Sequence, residues 1–177
     1  GQALGITQTF RGQHNGQPIP MAGVPYHAAE GYLARLIKAG YRVAVCEQLE
    51  DSSKAKGIVQ RGVTRVITPG TLVEETLLDS ETPATLGAIV FTEAGDDSGA
   101  SLAVVELATG AFVVTDCPAK GLIDELARRG VRELLYCDTA AGKTPARVQR
   151  LLTALTISPT ARAAWQFRAG EARQALL

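Results

Sequence analysis

Gly142-Lys143-Thr144 is the first place in this sequence where residue type and spacing invite a chemical reading. The triplet follows an apolar run and precedes a helical pattern, which is the setting of a phosphate-binding loop. Such a loop needs a glycine five positions before Gly142, and Cys137 stands there. Nucleotide binding is therefore not expected, and Thr144 is assigned to capping the helix that Pro145 opens. Carboxylates give a second possibility. Glu125 falls on a predicted helix and Asp138 just after a predicted strand, as two-metal nucleases require, but the strand that would carry their central acid, Leu86–Phe91, has none. His14 and His27 flank loops, no Gly-x-Ser-x-Gly turn is present, and His27 is read as a capping or packing residue.

Basic residues give a third possibility, which is binding rather than catalysis. Lys54, Lys56, Arg61 and Arg65 cluster in sequence and could supply salt-sensitive attraction to a duplex. A solvated loop explains the same residues, and the residues alone do not choose. The run has no interleaved aromatics, so a stacking platform for single strands is not expected. Upstream, Arg11 precedes Pro18-Ile19-Pro20-Met21-Ala22-Gly23-Val24-Pro25. Prolines hold such a segment in one shape and lower the ordering cost of binding. Met21 and Pro20 could then rest on sugars or a widened minor groove, with Arg11 on phosphate. Taken alone, Met21 is better read as packing under a rigid turn.

The elements that must position these residues follow from periodicity. A strand is predicted over 4–10, then a polar loop at 11–17 and an extended or turning loop through the prolines. Ala29, Tyr32, Leu33, Leu36 and Ile37 mark one face of a helix over 27–39, with Gly40 as its C-terminal cap. Strands are predicted at 41–46, buried, and at 63–68, stopped by Pro69-Gly70. The acidic stretch 72–84 is the expected linker between domains 1–71 and 85–177. The second domain opens with a meander of strands at 86–92, 101–107 and 111–116. A helix follows at 118–129 with Leu122, Ile123 and Leu126 inward, then a strand at 132–137. Next comes a helix from Pro145 with Val148, Leu151, Leu152 and Leu155 inward. A further strand is placed near 164–168, before a short terminal helix. The fold class is α/β, and the order β-β-β-α-β-α is ribonuclease H-like by analogy.

Composition bounds the rest. Apolar residues make up 46% of the 177, enough for a packed core built on aliphatics, since aromatics are only 5%. The formal charge is zero but uneven: residues 1–71 hold eight Lys/Arg against four Asp/Glu, and 72–177 hold ten against fourteen. A basic first half can approach phosphate, although ordinary surface variation gives the same numbers. Cys46, Cys117 and Cys137 are scattered and odd in number, which fits buried, reduced thiols of a cytosolic protein rather than a disulfide frame or zinc site. No leader or membrane-length apolar run is seen, and the start at Gly1 without Met is read as a fragment or trimmed chain.

Four ordered blocks carry a family resemblance. Gly16-Gln17-Pro18-Ile19-Pro20-Met21-Ala22-Gly23-Val24-Pro25-Tyr26-His27-Ala28 resembles the loop of the MutS mismatch-binding domain, and the likeness continues through Tyr32–Leu36. It resumes at Val43-Ala44-Val45-Cys46-Glu47-Gln48-Leu49 and at Val63-Thr64-Arg65-Val66-Ile67-Thr68-Pro69-Gly70-Thr71. Ala108–Phe112 and Glu133-Leu134-Leu135-Tyr136 resemble the family's connector more loosely. The resemblance implies an incomplete mixed-sheet DNA-contacting domain followed by a ribonuclease H-like connector. It makes Arg11, Pro20, Met21, Lys54, Lys56, Arg61 and Arg65 the expected DNA contacts. It implies a parent that clamps mismatched duplex as a homodimer, binds Mg-ATP in another domain and engages a MutL-type partner in the bacterial cytoplasm. The family's Phe-x-Glu reading segment and its ATPase do not occur in this sequence, so no catalysis, no metal and no cofactor are expected of the chain itself. A metal-dependent nuclease and a pure protein-interaction module are the alternatives.

Overall fold

Residues 1–51, 57–71, 85–92, 99–139 and 142–176 are described by a computed structural model, and they fall into two compact units. One covers Gly1–Thr68; the other takes residues 69–71 together with those from 85 onward. The expected linker, Lys54, Lys56 and most of the turn after the first connector strand lie outside the described residues.

In the first unit a 3₁₀ turn, Gln2–Leu4, precedes strands β1 (Thr9–His14) and β2 (Gln17–Met21), which pair antiparallel. The strand predicted over 4–10 is thus displaced, and both predicted loops are strands of one hairpin. The reason is Asn15-Gly16, whose positive φ values of 50° and 75° make the two-residue turn that matches strand twist. A second 3₁₀ turn, Tyr26–Ala28, leads into helix α1 (Ala29–Lys38). This helix buries Ile37 and ends in a Schellman motif: Gly40 N–H donates to Ile37 O at 2.9 Å and Tyr41 N–H to Leu36 O at 3.0 Å. Arg35 Nη2 reaches back to Leu4 O at 2.9 Å and ties the first turn to α1. Strands β3 (Val43–Gln48) and β4 (Arg61–Ile67) form a second antiparallel pair. The buried strand expected at 41–46 is only half covered, and Cys46 is exposed rather than buried, because a two-stranded sheet has little to pack against. Among the described residues of this unit only Ile37 and Ile67 are buried apolar side chains.

The second unit is built on one five-stranded sheet. Its strands are β5 (Thr85–Phe91), β6 (Ala100–Glu106), β7 (Ala111–Cys117), β8 (Val131–Cys137) and β9 (Ser158–Arg162), in the order β7-β6-β5-β8-β9. The meander β5-β6-β7 is antiparallel, whereas β8 and β9 add parallel on the other side of β5. Helices α2 (Leu122–Arg128) and α3 (Ala146–Ala154) supply Leu122, Leu126, Val148 and Leu151 to a core with Ile89, Leu102, Val104, Leu134 and Tyr136. Leu152 and Leu155 pack at its margin, as predicted, but Ile123 stays 40% exposed at the helix flank. Burying a side chain such as Leu134 contributes roughly 1.5–3 kcal/mol, so this core holds the unit together. Residues 164–167 form a 3₁₀ turn, not the predicted strand; the last strand is β9, six residues earlier, and helix α4 (Ala169–Leu176) follows. None of the described helices is long and apolar enough to cross a membrane.

Candidate nucleic-acid interface

The β1–β2 hairpin pairs Thr9 with Met21, Phe10 with Pro20, Gln13 with Pro18 and His14 with Gln17. Three steps on β1 answer two on β2, so one residue is extra between Phe10 and Gln13. Gly12, at φ 69°, takes up this bulge, which re-aims the neighbouring Arg11 at the exposed surface. Pro18 and Pro20 stand two apart and lack N–H groups, so both must face the open edge of the pair. That edge therefore cannot recruit another strand, and it leaves apolar groups on display. Met21 is 42% exposed and Tyr26, just beyond Pro25, is 97% exposed. Met21 is not packed under a turn, as the residues alone had favoured.

Arg61 and Arg65 do not form one cluster. Val45 pairs with Arg65 and Cys46 with Val63, which leaves Thr64 as an extra residue on β4. The extra residue resets the alternation. Arg61, Val63 and Val66 are exposed, whereas Arg65 and Ile67 are more covered, opposite Val45 and Val43. Arg61 therefore shares a face with the exposed valines and Arg65 lies on the other.

The enzyme-like features resolve into structure. Gly142 N–H donates to Thr139 O at 2.9 Å and Thr139 Oγ1 to Lys143 O at 2.8 Å, so the described residues here bond to one another. Thr144 does not cap α3: its hydroxyl lies 3.2 Å from Tyr136 Oη, and Pro145 occupies the cap position without a side-chain bond. Nor does His27 cap a helix through its side chain. Both oxygens of Glu125 are held by Arg128, at 2.6–2.9 Å, and Arg129 Nε adds a bond at 2.9 Å. These hydrogen bonds, Arg128's first, hold the carboxyl below its ordinary range. Asp138 uses its N–H on Arg162 O at 2.8 Å. The described residues contain no group of three or more His, Cys, Asp or Glu side chains placed to hold a metal ion. Burial raises the thiol of Cys117, whereas Cys137 is part-covered. Residue patterns missed the hairpin itself, although Asn15-Gly16 between two extended runs is the signal for it.

Two family models together cover most of the chain. A family model described as MutS domain I matches residues 1–76, and one described as MutS domain II matches residues 85–177. The chain belongs to the MutS family of DNA mismatch repair proteins. It is 50% identical over 141 residues to DNA mismatch repair protein MutS of Caulobacter vibrioides, covering 77% of this chain and 15% of that protein. The same-named protein of Caulobacter sp. (strain K31) is 57% identical over 113 residues, 61% of this chain and 12% of its own length. That of Cereibacter sphaeroides is 49% identical over 142 residues, 77% of this chain and 16% of its own. The chain thus spans about a sixth or less of these relatives.

Proposed function

We propose that the first unit lays the β1–β2 hairpin along duplex DNA, with Arg11 on phosphate, Pro20 and Met21 against sugars, and Arg61 adding a second cationic contact. Lys54 and Lys56 join them on charge alone, and Arg65 supports the strand from its covered face. The observation that carries this reading is the exposed edge of β2, stiffened by two prolines and the Asn15-Gly16 turn, in a chain of the MutS family. A preformed, proline-stiffened edge loses little conformational freedom on contact. The whole protein is then a homodimeric clamp on mismatched or looped duplex, regulated by Mg-ATP bound in another domain, with a MutL-type partner downstream, in the bacterial cytoplasm. This chain contributes binding and connection, not catalysis. The second unit is the connector, and its strand order with only β6 antiparallel supports the ribonuclease H-like analogy.

Fluorescence anisotropy with a short duplex at low and raised salt tests the reading. The expected result is weak binding that fades as salt rises and weakens further in Arg11→Ala. Absence of binding at the lowest salt would instead favour a protein-interaction module.

A further inference from the structure

Glu133 is an acid in the middle of β8, yet only 2% of it is exposed. Its neighbours in the strand, Leu134 and Tyr136, enter the core beneath the helices. Glu133 points to the opposite sheet face, in register with Leu86 of β5 and Ser158 of β9. Both carboxylate oxygens are used there. Oε1 accepts from Thr160 Oγ1 at 2.6 Å, and Oε2 accepts from the backbone N–H of Gly70 at 3.2 Å. Gly70 lies 63 residues earlier, in the turn that ends the β4 segment.

Burying a carboxylate is costly unless its partners are good, and an apolar residue would fill the site more cheaply. What the acid adds is a grip on a backbone amide from a distant part of the chain. The approach is close enough to exclude any side chain at position 70. A Cβ on Gly70 would sit 2.7 Å from Glu133 Cβ and 3.1 Å from Leu86 Cδ1. Pro69 fixes the chain just before it. Gly70 therefore has a packing role of its own, against Glu133 and Leu86.

We propose that Glu133 is a latch that clasps the Pro69-Gly70 turn onto the five-stranded sheet. The clasp thereby fixes residues 69–70 to the sheet of their own unit. This inference stands apart from the DNA reading.

Amide hydrogen exchange on the full chain tests it, comparing Gly70 with Ile89 in β5. Glu133→Ala and Gly70→Ala attack the contact from opposite sides, so one remains informative if the other fails to fold. Either is expected to speed exchange at Gly70 roughly tenfold or more and leave Ile89 unchanged. Glu133→Gln, which keeps an acceptor oxygen, is expected to restore most of the protection. Thr160→Val, which leaves the Gly70 bond intact, should change Gly70 less than Glu133→Ala does. Unchanged exchange at Gly70, or equal acceleration at Gly70 and Ile89 in the folded variants, overturns the latch.

Discussion

Replacing Arg61 and Arg65 one at a time separates a cation that meets DNA from one that supports a strand. The two are four residues apart, yet the extra residue at Thr64 puts them on opposite faces of β4. Arg61 is exposed beside Val63 and Val66, so Arg61→Ala removes a surface charge and little packing. If Arg61 neutralises one phosphate, the slope of log affinity against log salt becomes shallower by about 0.9. Between about 50 and 200 mM salt, the advantage of the wild type over the variant should shrink by a factor of about three to four. Arg65 is half-covered opposite Val45, so Arg65→Ala removes a stem that shields apolar surface. Its expected effect is a loss of roughly 1 kcal/mol in the first unit with the slope unchanged. Anisotropy titrations at four salt concentrations, with urea unfolding of each variant, measure both quantities. A slope change in Arg65→Ala equal to that in Arg61→Ala, without loss of stability, would refute the assignment of faces. So would an Arg61→Ala slope identical to the wild type.

Gly16→Ala places a side chain at φ 75° in the hairpin turn and should destabilise that turn by roughly 1–2 kcal/mol; duplex affinity should fall in parallel, as anisotropy would show. Leu134→Ala empties a fully buried site in β8 and should cost about 2–5 kcal/mol by chemical denaturation, with the loss confined to amides of the second unit. Glu125 has a lowered pKa in the folded protein, so its pairing with Arg128 and Arg129 stabilises above the ordinary Glu range and is lost as pH falls through the folded value. Thermal unfolding from pH 6 to pH 3 should therefore fall more steeply in the wild type than in Glu125→Gln. With so few buried side chains, the first unit should exchange its strand amides faster than the second.

How much of this was legible in the residues depended on the kind of signal. Helix α3 was readable because Val148, Leu151, Leu152 and Leu155 repeat at helical spacing and do meet the core. The meander was readable because alternation and Gly-containing turns agree. The terminal strand was misplaced because Trp165 and Phe167 mimic alternation, whereas β9 (Ser158-Pro159-Thr160-Ala161-Arg162) shows no apolar alternation of its own. It is an edge strand defined by backbone pairing to β8 alone, and Pro159 sits there at little cost. The bulge at Thr64 leaves no mark in composition, so the separation of Arg61 from Arg65 needed the register. Glu133 reads as a solvent-facing acid in any alternating strand; Gly70 and Thr160, both a long way off in the chain, give it the buried partners that spacing along the strand does not show.

The mixed sheet also dictates an order of assembly. β5, β6 and β7 pair with sequence neighbours and can close into a meander as soon as they leave the ribosome. β8 must return past α2 to reach β5, where Thr85 meets Val131, and β9 has only β8 to join. Such long-range parallel pairing is slow because the loop must close before any ladder bond rewards it. Until residue 137 has been synthesised, nascent chains carry β5 with one edge bare, and that edge is the surface a chaperone would have reason to shield.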